Sequence, residues 1–215
     1  MSLDALLRPE LLAPAAFILA VVLVLYLTFS GFAMVGVGAG ETFVLLFLAP
    51  FVAGLNLPVY AFEETVLAVN AAGLIIPLAL SIRFVYDGRA PWFRAALGVG
   101  IVTFVAYRLA RYAPGEGILV PALPIALTAT LVGVGLGGAT YKRWGPLTFT
   151  SGAAGTLVGA DLLNLQAIVT GPDAPPAAVI GGAGTLDAIY LCAVLAVAGS
   201  IVAAVGSRIL PGGPR

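Results

Sequence analysis

Long uncharged runs dominate the chain: residues 11–40, 42–62, 65–82, 117–141 and 188–207 contain no Asp, Glu, Lys or Arg. About 20 apolar residues in a helix cross a bilayer core, and too few polar positions interrupt these runs to build a wetted face along each helix. The pattern predicts seven helices, over about 12–36, 41–57, 64–83, 92–112, 118–139, 146–168 and 179–206. Short segments rich in turn residues or charge separate them: NLPVYAFEE (56–64), RFVYDGRAPWFR (83–94), RYAPGEG (111–117), TYKRWGP (140–146) and GPDAPP (171–176). The expected fold is all-α: a polytopic membrane helix bundle of about seven transmembrane helices. It forms a single integral membrane domain over 1–215, with a short loose tail from about 207.

Composition agrees with a bilayer as the main partner. Of the 215 residues 61% are hydrophobic and 9% charged, against about 25% charged in a soluble domain. Ten Lys and Arg balance ten Asp and Glu, so no basic field for nucleic acid is present. The chain has no His and a single Cys, Cys192, which removes imidazole relays, Ser-His triads and an internal disulfide. No metal or other cofactor is expected. Seven cations (Arg83, Arg89, Arg94, Lys142, Arg143, Arg208 and Arg215) fall on the side of the 3–4 loop, the 5–6 loop and the C-terminus, and three (Arg8, Arg108 and Arg111) on the other. The excess of positive charge on cytoplasmic loops then puts the N-terminus outside and the C-terminus inside. Trp92, Trp144, Tyr86 and Tyr141 fall at the inner helix ends, where an interfacial aromatic belt is expected.

Two carboxylates interrupt apolar runs: Asp161 in GTLVGADLLNL (155–165) and Asp187 in GGAGTLDAIYLCAVL (181–195). A charge at mid-bilayer costs about 2.5–3.5 kcal/mol on insertion scales, so such residues face a bundle interior or a cavity and carry function by default. In the seven-helix topology both lie in the outer half of the membrane, with Asn70 and Asn56, and with Glu63 and Glu64 capping the same side. Asn164 shares a helix face with Asp161. Gly152, Gly155 and Gly159 mark a different face, where a neighbouring helix can approach closely. IGGAGT (180–185) is too glycine-rich for a stiff helix and predicts a broken or re-entrant segment lining a cavity. Arg108 and Arg111 are expected to snorkel to an interface.

Two adjacent carboxylates share a proton, so that one can activate water while the other protonates a carbonyl oxygen. GGAGTLDAIYLCAVL resembles the second aspartate segment of presenilin-type intramembrane aspartyl proteases, although Gly184-Thr185-Leu186 stands where that family has Gly-x-Gly before the aspartate. The tripeptide Pro121, Ala122 and Leu123 resembles the PAL motif those enzymes keep beside the active site. This resemblance implies Asp161 and Asp187 as the catalytic pair, with Pro121, Ala122, Leu123 and Gly184 beside a transmembrane helical substrate; the shared helix face and membrane depth add Asn164, orienting one aspartate, and Asn70 beside the substrate. More broadly, NLPVY (56–60), VNAAGLIIPLALS (69–81), GTLVGADLLNL and IGGAGTLDAIYL (180–191) resemble a prokaryotic multi-pass membrane family of unknown function, which implies an archaeal or bacterial cell membrane. Two other readings stay open. Asp161, Asn164, Asp187 and Asn70 offer hard oxygen ligands to a cation, or a titratable pair to a proton-coupled carrier, for which a homo-oligomer would supply further helices. A non-catalytic membrane subunit would pair its aspartates with a partner's arginines.

Overall fold

The computed structural model describes residues 9–62, 65–113, 117–169 and 176–209. The described residues are mostly helical, with seven longer helices among them. Helix α1 (Pro9–Met34) is followed by α2 (Ala39–Phe51), strands β1 (Asn56–Phe62) and β2 (Thr65–Asn70), α3 (Ala71–Tyr86) and α4 (Trp92–Leu109). A hairpin of β3 (Arg111–Ala113) and β4 (Gly117–Leu119) precedes α5 (Ala122–Gly137) and α6 (Tyr141–Thr156). Helix α6 continues as wider π-type turns over Leu157–Leu162, and the short α7 (Leu165–Val169), β5 (Ala177–Ile180) and α8 (Ala188–Ile209) complete the order. Among the described residues, Ala16–Met34, Trp92–Leu109 and Ala188–Ile209 are long and apolar enough to cross a membrane.

The expectation of an all-α fold is corrected by the sheet. Its order is β1-β2-β5, with β1 antiparallel and β2 parallel to their neighbours in that order. The second expected helix therefore stops at Phe51 rather than 57, the third starts at Ala71 rather than 64, and the seventh starts at Ala188 rather than 179. The local reason is legible in NLPVYAF: Pro58 cannot donate to a ladder and is tolerated on an edge strand, and the register shifts between Pro58 and Tyr60. Asn70 then converts strand to helix. At φ −89°, ψ 139° it is extended, and its side chain accepts from the N–H groups of Ala72 and Gly73, satisfying the first turn of α3. The expected turn at 111–117 is instead the β3–β4 hairpin. Glu63 and Glu64 lie outside the described residues.

Helix α6 is the axis of the bundle. It packs against α3, α4, α5 and α8, and nearly every residue from Trp144 to Thr156 is buried. The expected small-residue face is where its neighbours come closest. A Cβ on Gly155 would stand 2.6 Å from that of Val102, one on Gly159 2.4 Å from the Thr103 carbonyl oxygen, and one on Gly152 3.0 Å from the Cys192 carbonyl oxygen. Phe149 on α6 meets Phe84 on α3 edge to face, with centroids 5.5 Å apart. Helix α1, by contrast, leaves most of its apolar side chains exposed and touches α2, α6 and α8.

Contacts gather the basic loops at one end of the bundle, as the distribution of Lys and Arg implies. Lys142 donates to the Ala33 carbonyl (2.7 Å), Arg94 to that of Leu136 (2.8 Å), and the Tyr141 and Ser207 hydroxyls are 2.9 Å apart. At this end Glu41 is buried under Arg89 (2.7 Å) and Arg83 (3.5 Å), and Asp87 closes the network to both arginines. Burial alone would raise the Glu41 carboxyl, but the Arg89 guanidinium outweighs it and holds the group below the ordinary carboxylate range. Of the expected aromatic belt, Tyr86 and Trp92 are exposed at this end. Tyr141 and Trp144 are instead core residues stacked edge to face, because α6 begins at Tyr141 rather than at 146 and carries both rings into the centre.

A candidate aspartate site

The opposite end of the bundle holds the sheet, the hairpin and both aspartates. Two glycines fix the corner that presents Asp187. Gly181 turns out of β5 at φ 73° and lies backbone to backbone with Gly73, where a Cβ on Gly73 would meet the Gly181 carbonyl oxygen at 2.1 Å. Gly184 turns again at φ 62° against Ala53. Both conformations are left-handed and suit glycine. The non-helical reading of IGGAGT thus holds, with a strand end and a 3₁₀ turn at Gly184–Leu186.

Asp187 sits at the N-terminus of α8 rather than within a helix. Its backbone is extended (φ −67°, ψ 146°), and its Oδ1 accepts from the Ile189 N–H at 2.9 Å. Asp161 comes from the π-type turns that end α6, a helical distortion frequently found at functional sites. Among the described residues its carboxylate has no matching donors. The two side chains line one cavity of about 430 Å³, with β4 and Val120 on one wall and Val179, Gly182 and Ala183 on the other. Both are half-buried.

The other expected site residues are placed as follows. Asn164 donates to the carbonyls of Gly159 (3.2 Å) and Ala160 (2.8 Å), closing the widened helix rather than orienting the Asp161 carboxylate. Asn70 is fully buried in its own cap network, donating to the Ala53 carbonyl (2.7 Å) and to Asn56 Oδ1 (2.8 Å), and does not line the cavity. Pro121 precedes α5 as its N-cap and lines an adjoining cavity. Ala122 accepts a hydrogen bond from the Cys192 thiol on α8 (3.4 Å). Leu123 is exposed. Gly184 shapes the corner from below. The structure thus brings Asp161, Asp187 and the residue before Pro121 together, and leaves Asn70 apart.

Sequence reasoning missed the walls: Ile118, Leu119 and Val120 on one side and Val179 on the other. Their signal is two short apolar runs, GILV and AAVI, each bounded by turn residues as strands are. Among the described residues no three His, Cys, Asp or Glu side chains converge as a metal site. What the arrangement offers is a carboxylate pair in asymmetric surroundings, able to pass a proton or hold a small cationic group.

These features define a mostly helical protein with three helices long and apolar enough to cross a membrane among its described residues, and a cavity lined by Asp161 and Asp187 beside a small sheet. The chain belongs to the DUF1614 family of proteins of unknown function, whose family model matches residues 42–198. No curated protein and no solved structure matches it.

Proposed function

We propose that this chain is an integral membrane hydrolase in which Asp161 and Asp187 form an aspartyl acid/base pair acting on a peptide bond of a membrane-embedded substrate. The observation that carries this reading is that the two carboxylates, one at the end of α6 and one at the start of α8, line a single cavity. Their surroundings divide the roles. Asp187, whose charge is met by the Ile189 N–H, is the base that takes a proton from water. Asp161, without such donors, carries the shared proton and gives it to the carbonyl oxygen as the water oxygen attacks the carbonyl carbon. Return of a proton to the amide nitrogen then releases the amine as the C–N bond breaks.

The cavity walls support an extended peptide as substrate. β5 pairs only with β2 among the described residues, so one of its edges is open beside the cavity, and an open edge binds an unwound segment through main-chain hydrogen bonds. Open sheet edges do not face lipid within the hydrocarbon core, so this end belongs near the membrane surface. With the basic end cytoplasmic, the aspartates of this prokaryotic cell-membrane protein face the outer side.

The test is cleavage of fluorogenic transmembrane peptides by the protein reconstituted in liposomes. Wild type is expected to cut, and Asp161→Asn and Asp187→Asn are each expected to lose activity by at least 10³-fold while unfolding at the wild-type temperature. Cleavage that survives either substitution sinks the reading. Absence of cleavage with ion-dependent uptake that both substitutions abolish would assign the pair to a carrier.

A further inference from the structure

A second cavity, of about 450 Å³, adjoins the aspartate cavity and is lined by Arg108, Leu109, Arg111, Leu119, Val120 and Pro121. Leu119 and Val120 form walls of both. Arg108 and Arg111 are exposed and make no ion pair among the described residues. This end of the molecule therefore sets two guanidinium groups, with no ion pair among the described residues, beside two carboxylates, with Leu119 and Val120 shared between the two cavities.

The surface leading to the arginines is apolar. Phe104 and Tyr107, four residues and one residue before Arg108 on α4, are exposed, as are Leu123, Leu127 and Leu131 on α5. Helices α4 and α5 pack against each other, so these side chains frame a greasy track that ends at the guanidinium pair. Arginine is the side chain suited to phosphate, through forked N–H donors, and basic pockets at helix ends bind lipid headgroups.

We infer that the paired cavities bind a zwitterionic phospholipid: its phosphate lies on Arg108 and Arg111, its ammonium enters the Asp161–Asp187 cavity, and its chains lie along the exposed faces of α4 and α5. The ammonium meets carboxyl oxygens of Asp161 and Asp187, and the phosphate meets the forked N–H donors of Arg108 and Arg111. A glycerol headgroup satisfies only the arginines. The inference is independent of the hydrolase reading, because occupancy is read without turnover. If both hold, an ethanolamine lipid slows cleavage by filling the aspartate cavity.

The experiment titrates the delipidated full-length protein in detergent with dioctanoyl phosphatidylethanolamine, dioctanoyl phosphatidylglycerol and soluble phosphoethanolamine, with occupancy measured by native mass spectrometry. Wild type is expected to prefer the ethanolamine lipid. Arg108→Gln and Arg111→Gln, at exposed positions, are expected to weaken both lipids on the order of tenfold each, the size of one charge-assisted contact. Asp161→Asn and Asp187→Asn, the latter keeping an acceptor for the α8 cap, should weaken the ethanolamine lipid alone, to the level of the glycerol lipid. Soluble phosphoethanolamine, without chains, should bind at least tenfold more weakly than its lipid. Equal wild-type affinity for the two lipids, arginine variants that bind as wild type, or a soluble headgroup that binds as tightly as the lipid would each overturn the proposal.

Discussion

Replacing Gly159 by alanine tests how closely α6 must approach α4. The added Cβ would stand 2.4 Å from the Thr103 carbonyl oxygen, 2.8 Å from Ala106 Cβ and 3.0 Å from the Tyr107 nitrogen. Two of these neighbours are backbone and the third is a Cβ, so no side-chain rotamer can give way. Either α6 or α4 must shift. Overpacking of this kind costs about 1–3 kcal/mol. Alanine recovers up to about 1 kcal/mol of helix propensity, leaving a net loss of up to about 2 kcal/mol. At about 2–4 °C per kcal/mol for a domain of this size, the midpoint should fall by several degrees. Thermal unfolding followed by intrinsic fluorescence is suited to this, because Trp144 is buried on α6. Gly100→Ala on α4 and Gly135→Ala on α5 are the controls, since a Cβ at either position meets nothing within 4 Å, and both should hold or raise the midpoint. A Gly159→Ala midpoint at or above wild type, or controls that fall as far, would refute the close-approach argument. Asp161 lies two residues further along, so the same shift should also lower any activity of the aspartate pair.

At the basic end, Arg89→Met should destabilise by about 3 kcal/mol, because it leaves the buried Glu41 carboxylate without its 2.7 Å partner. Arg83→Met, at an exposed side chain 3.5 Å from the same carboxylate, should cost well under 1 kcal/mol; chemical denaturation of both variants decides the order. The folded protein holds the Glu41 carboxyl below its ordinary value near 4.5, so its contribution is present above that pH and is lost as pH falls through the depressed folded value. Unfolding midpoints measured on acidification should therefore drop in wild type and drop less in Glu41→Gln. Asn70→Ala removes two donated and two accepted hydrogen bonds at a fully buried position and should cost about 2–4 kcal/mol, with hydrogen exchange showing early opening of the β2–α3 junction.

The helices were legible because a bilayer-scale apolar run has few alternatives. The sheet was not. NLPVYAF and TVLAVN are continuous apolar stretches of strand length, and in a chain this hydrophobic they read as parts of the helices that flank them. The discriminating marks were local: Pro58 in an edge position, and Asn70 as a helix cap rather than a membrane-buried polar group. The pairing of β2 with β5 joins segments more than 100 residues apart, a relation that no local pattern records. Asp161 and Asp187 were legible from the cost of a carboxylate in apolar surroundings, and the glycine run before Asp187 from its inability to stay helical. The amides misled because their chemistry suits a site equally well. Asn70 and Asn164 turn that chemistry on backbone groups freed where a strand becomes a helix and where a helix widens, and such needs appear only once the backbone path is known. Arg108 and Arg111 read as interfacial cations, and only the shared wall of Leu119 and Val120 gives them a neighbourhood.

The central place of α6 has a consequence for biosynthesis. It is short for a bilayer crossing and carries Thr148, Thr150, Ser151 and Thr156 inward, so lipid is a poor solvent for it. Its solvent is α3, α4, α5 and α8, three of which precede it in the chain and one of which follows. During translation the earlier helices have no axis to close on until roughly residue 156 has emerged, and α6 has no complete sheath until α8 arrives. The assembly order is therefore set by a late, polar segment recruited by partners already in the membrane, and truncation ahead of α8 should leave a species that quality-control proteases recognise.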